Sequence, residues 1–141
     1  MPRSRANIDH LVIAPSGIWL VDSKRYLSGR LERRDRGGWR TTDVRLYVGG
    51  RDNSSLVDGL KKQIDQVELT LLATPFSGVP VHGALCFVDA KLDMFARPFE
   101  LRGVTVTWPR HLVAPMLNPD VVDGPTRRHL THQLAIAFRA T

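Results

Sequence analysis

A chain of 141 residues with 43% hydrophobic content is sized for one compact domain with its own core. No run approaches the roughly 18 apolar residues of a membrane span and no apolar signal region opens the chain, so a cytoplasmic protein without membrane association is expected. The single cysteine, Cys86, excludes a disulfide framework or a cysteine-based zinc site, and 20 basic against 14 acidic side chains give a net charge of +6 that points to an anionic partner.

Residues 8–14 and 18–24 are short, β-branched and apolar on both faces, and Pro15, Ser16 and Gly17 between them are turn formers. They predict a buried β-hairpin. Strands with two apolar faces need cover on both sides, which selects a layered α/β domain over a sandwich with one wet face. GRLERR and WRTTDVRLYV follow as two more extended segments around Asp35, Arg36, Gly37 and Gly38, forming a second, polar hairpin. Arg25, Arg30, Arg33, Arg34, Arg36, Arg40, Arg45 and Arg51 crowd this part of the chain, a patch suited to phosphate backbones. Leu56, Leu60, Ile64, Val67 and Leu71 then recur at helical spacing, with Asn53 to Ser55 as the start and Pro75 and Gly78 as the stop. Val81 to Val88 and Val104 to Trp108 read as strands, Pro109 to Leu117 as a helix, and a last helix is expected to begin near Asp123 and Pro125.

Side chains two apart on a strand share a face, so Asp22 and Lys24 project together while Ser23 points away. If the turn closes with Ile13 opposite Ile18, paired residue numbers sum to 31 and Asp9 lies across from Asp22. Facing carboxylates at roughly 4.5 to 5.5 Å repel unless a cation sits between them, and Mg²⁺ suits such a site because it takes oxygen ligands and keeps positions for water and phosphate. A three-residue loop with Ile18 opposite Ala14 would shift the sum to 32 and turn Asp9 away. Five histidines and the absence of GxxxxGK[ST] or GxGxxG leave zinc or nucleotide-driven chemistry without support. Trp19 is expected in the core, and Trp39 beside Arg40 is the candidate for stacking on a base.

The run IDHLVIAPSGIWLVDSK followed by YLSG resembles the core signature of the nuclease-related domain (NERD) family, grouped with the PD-(D/E)xK nucleases of restriction-endonuclease-like fold. LKKQIDQV resembles that family's glutamine-bearing helix, and GALCFVDA and RGVTVTWP its later strands. The resemblance implies a central mixed β-sheet with an N-terminal β-hairpin and flanking helices. It implies Asp9 and Asp22 as metal ligands with the backbone carbonyl of Ser23, Lys24 as the catalytic lysine, Gln63 as an auxiliary residue, and Mg²⁺ or Mn²⁺ as cofactor. Arg25, Arg30, Arg33, Arg34, Arg36 and Arg40 would hold DNA, with RNA as the alternative substrate.

Only seven residues precede Ile8, so the family's first helix with its metal-site glutamate is expected to be missing; Glu32, Asp43 or Asp89 are the acidic residues that could substitute. Two further readings stay open. One is a nucleic-acid-binding module without turnover; the other is an interaction domain, with a partner or a second copy covering the apolar face left by that helix.

Overall fold

A computed structural model of the protein describes residues 10–25, 30–88, 92, 96–118 and 123–139, the side chains of 133 and 135–139 excepted. The first hairpin forms as expected, from β1 (His10–Ala14) and β2 (Gly17–Arg25), paired antiparallel from His10↔Val21 to Ala14↔Gly17. Every observed pair sums to 31, so the two-residue turn at Pro15 and Ser16 prevails over the three-residue loop. Gly17 is the reason. It has φ of +133°, and an added Cβ would lie 2.5 Å from the backbone oxygen of Pro80, so no other residue fits without moving that segment. Gly17→Ala is therefore expected to cost about 1–3 kcal/mol, read as a lowered urea midpoint, because strained backbone and overpacking act at one position.

The polar hairpin is β3 (Leu31–Asp35) and β4 (Val44–Val48), with β5 (Arg51–Asp52) added antiparallel to β4 in a separate three-stranded sheet. Helix α1 (Ser54–Leu72) buries Val57, Leu60, Ile64, Val67 and Leu71; Val57 goes fully inside while Leu56 sits at the edge of the stripe. Then come β6 (Val81–Val88), β7 (Phe99–Leu101) and β8 (Val104–Thr107). The main sheet has the order β1-β2-β6-β8-β7, with β2, β6 and β8 mutually parallel and both edge strands antiparallel to their neighbours. This mixed sheet with flanking helices is the architecture expected of a restriction-endonuclease-like core.

Both faces of β2 are covered, as its two-sided apolarity requires. Ile18 and Leu20 join Leu85, Phe87, Val104 and Val106 under α1 and the small sheet; Trp19 and Val21 join Ala84, Cys86 and Met116 on the other side. Trp19 is core as expected, donating its indole N–H to Ser16 Oγ at 2.8 Å and stacking on His82 at 4.6 Å. Cys86 is buried, and burial pushes its thiol pKa up, away from nucleophilic use.

Residues 109–117 do not form one helix. A 3₁₀ turn (Pro109–His111) precedes a single helical turn α2 (Val113–Met116), because Pro115 has no N–H to donate to the preceding turn. The last helix, α3 (Gly124–Arg139), starts where expected: the Asp123 carboxylate accepts the Thr126 N–H at 2.8 Å, and the Thr126 hydroxyl and N–H hold that carboxyl below its ordinary range. Leu130 and Leu134 of α3, which packs against β1, join the same core. Among the described residues no helix is long and apolar enough to cross a membrane.

Candidate active site

The first five residues of β2 are buried, and the strand then emerges so that Asp22 and Lys24 keep 16% and 32% of their side-chain surface exposed. Asp22 Oδ2 stands 3.4 Å from Lys24 Nζ. The two-residue period puts both on one face, and the register with β6 decides which: Asp22 lies beside Leu85 and Lys24 beside Phe87, whose side chains pack in the core under α1. The carboxylate and ammonium therefore open on the α1 side of the sheet. Ser23 pairs with Cys86 and faces the other layer.

Gln63 belongs to the same layer. At 100° per residue it stands about 80° from the middle of the buried stripe of α1, at its edge. Its Oε1 is buried and, among the described residues, has no hydrogen-bond partner. A buried acceptor left unmade costs about 1–3 kcal/mol, so this oxygen keeps the capacity to accept a donor or a cation. A hard divalent ion wants oxygen donors and needs only one or two protein carboxylates. Carboxylate, amide oxygen and strand carbonyls fit such an ion in chemical type.

Of the acidic residues that could substitute for the glutamate expected to be missing, two are engaged elsewhere and one lies outside the described residues. Glu32 accepts from Arg34 at 2.8 Å, and Asp43 pairs with Arg45 at 3.0 Å. Asp9 and Asp89 lie outside the described residues. Among the described residues no three His, Cys, Asp or Glu side chains converge as a metal cage. A cleft of about 600 Å³ opens between β3 and β7, lined by Arg33, Phe99, Glu100 and Trp108; Asp22 and Lys24 are not among its walls.

The six arginines of the polar segment do not act as one uniform patch. Arg25 ends β2 and Arg30 precedes β3, both exposed. Arg34 pairs with Glu32 and lies 4.4 Å over the Tyr47 ring, while Arg36 donates to the Tyr47 hydroxyl. Arg45 is taken up by Asp43 and Asp52; its hydrogen bonds to those carboxylates raise its pKa and hold that of Asp52 far down. Arg33, Arg36 and Arg40 are exposed and have no carboxylate partner among the described residues. Tyr47, the organiser of the outer face, escaped notice in the sequence, although strand alternation sets it across from Glu32 and beside the arginines.

The β3–β4 loop is rigidly tied. Asp35 Oδ1 accepts the N–H groups of Gly37 at 2.8 Å and Asp43 at 2.9 Å, Arg36 N–H donates to the Asp43 carbonyl at 2.7 Å, and Thr41 Oγ1 accepts from Gly38 at 2.9 Å. The two backbone N–H bonds from Asp43 and Gly37 hold the Asp35 carboxyl below its ordinary range. A depressed folded pKa means the loop's stabilisation is full above the unfolded carboxylate pKa and is lost as pH falls through the folded one. The protection factors of the Gly37 and Asp43 amides, taken against the intrinsic exchange rate at each pH, are accordingly expected to be full at neutral pH and to fall in acid, and Asp35→Asn to abolish that dependence.

Comparison with known proteins adds one finding: a model of the nuclease-related domain matches residues 1–88. That span includes β1 to α1 and the whole of β6, and so Asp22, Lys24 and Gln63. No curated protein and no solved structure matches the chain.

Proposed function

The chain belongs to the nuclease-related domain family, and from that premise we propose that it is a metal-dependent nuclease that hydrolyses DNA phosphodiester bonds. The observation that carries the reading is the Asp22 and Lys24 pair, 3.4 Å apart at the emerging end of an otherwise buried strand. In this reading Asp22 and Asp9, with the Ser23 carbonyl, hold Mg²⁺ or Mn²⁺. Asp9 is included on the family resemblance of the run IDHLVIAPSGIWLVDSK, which implies it as a metal ligand.

When bound, the cation supplies polarisation of the phosphate and acidification of a water. Lys24 Nζ, a compact donor on a flexible stem, orients the attacking water and offsets charge developing on the phosphate. Gln63 Oε1 would accept a hydrogen bond from that water, which would satisfy its buried oxygen. Arg33, Arg36 and Arg40 contact the backbone of the strand, each contact releasing counterions and steepening the salt dependence.

The test is plasmid DNA cleavage that requires added Mg²⁺ or Mn²⁺, stops with a chelator, and is lost in variants of Asp22 and Lys24. Salt-sensitive DNA binding without cleavage would favour instead a binding module of the same fold. That second reading is motivated by the absence of a three-acid cage among the described residues.

A further inference from the structure

Trp39 is 90% exposed, whereas Trp19 and Trp108 are 5% and 8% exposed. An indole left in water forgoes a large apolar gain, so its place in the structure needs a reason. It sits at the tip of the β3–β4 hairpin, on the loop that Asp35, Gly37 and Thr41 tie down, and the Arg40 guanidinium lies 4.9 Å from its ring centre. Gly37 keeps that loop compact: a Cβ there would fall 2.2 Å from the Thr41 carbonyl oxygen. The ring is thus presented on a preorganised support, with Arg33, Arg36 and Arg40 as exposed cations along the same hairpin. The other exposed large apolar side chains among the described residues, Leu69, Leu72, Val113 and Leu117, lie on α1 or at α2, away from this hairpin.

We propose that the Trp39 and Arg40 tip is a stacking platform for an unpaired base, so that the protein engages DNA carrying a single-stranded end, gap or flap. The inference rests on the nuclease reading above and names the substrate form of that site. Charge selects the occupant: arginines beside an exposed indole match a phosphate chain bearing aromatic bases, and base stacking on an aromatic ring is tolerant of sequence because every base has a π-face. A paired base inside a duplex has both faces occupied and offers the indole nothing to stack on.

The experiment uses the whole chain in chelator, with a short mixed-sequence single-stranded DNA and the same strand in a blunt duplex as probes. Trp39 dominates the solvent-exposed emission, so the single strand is expected to quench it while the duplex does not. Trp39→Ala should weaken single-strand binding about 5- to 150-fold. Its salt slope should stay unchanged, whereas Arg36→Ala should lower the slope by about 0.7. Trp39→Phe, which keeps a ring, should retain most of the affinity. Unchanged single-strand binding by Trp39→Ala, together with undisturbed Trp39 emission when the wild-type chain binds the strand, overturns the proposal and leaves the nuclease reading standing on its cleavage assay. If neither probe binds, the proposal falls, and the nuclease reading is decided by its metal-dependent cleavage assay. A concentration-dependent mass that collapses in Trp39→Ala overturns it in favour of a second copy as the partner.

Discussion

Lys24→Ala is expected to slow metal-dependent plasmid cleavage by about 10²- to 10³-fold, the cost of removing one preorganised donor from a place where negative charge develops. Lys24→Arg should not restore it, because a planar fork cannot occupy the position of a compact ammonium 3.4 Å from Asp22. Asp22→Asn is expected to be at least as damaging, since it keeps the side-chain shape while removing the carboxylate that a divalent ion requires. Neither change should unfold the protein. Both side chains are partly solvated, and a pair of this kind contributes about 0–1 kcal/mol to stability, so the urea midpoint should barely move. Cleavage that persists in both purified variants would remove the assignment of this pair to the chemistry.

Phe87→Ala carries the largest expected stability loss, about 3–5 kcal/mol, as a fully buried aromatic is cut back to a methyl and a cavity remains. Against a total stability of about 5–15 kcal/mol this is a substantial fraction, measurable as a shift of the urea midpoint. Phe87 is also the β6 partner of Lys24 in the strand register. The cavity therefore opens beside the lysine, and cleavage by the folded fraction should fall as well. Cys86→Ala, one residue away on the opposite face and smaller by a single sulfur, is the control: its loss of stability should be much smaller and its cleavage rate near normal. Equal effects of the two changes would show that the α1 face holds no special relation to Lys24.

Much of the site's local geometry was legible because it depends on short-range rules. The turn residues narrowed the β1–β2 register to two choices, between which the structure selects the one summing to 31, and the alternation of a strand placed Asp22 and Lys24 together. The stripe of α1 followed from its period, with an error of one position at the start, where Val57 and not Leu56 turned out fully buried. The short strands β5 and β7, of two and three residues, left no periodic trace; they exist because β4 and β8 offer edges to pair with. The β7–β8 turn is similar: Arg102 accepts φ of +52°, a left-handed conformation its own sequence would not select, while its guanidinium grips Asp58 at 2.9 Å.

Charge was the least legible property. Eight arginines in one segment suggested a uniform phosphate-binding surface, yet Arg45 is neutralised by two carboxylates and Arg34 by one, leaving Arg33, Arg36 and Arg40 as the exposed cations of the hairpin. Composition counts charges, whereas ion pairing depends on which strands the chain sets side by side.

By itself, the amino-acid sequence determined the hairpin with its acid and lysine, the amphipathic helix, the α/β layering and the family, since each is written in periods and turn residues a few positions apart. Only the tertiary structure decided that Asp22 and Lys24 open toward α1, that Gln63 buries an oxygen with no hydrogen-bond partner among the described residues, and that Trp39 stands in solvent. Those outcomes depend on contacts between segments dozens of residues apart, and a strand that is apolar on both faces carries no local mark of which side its neighbours will cover.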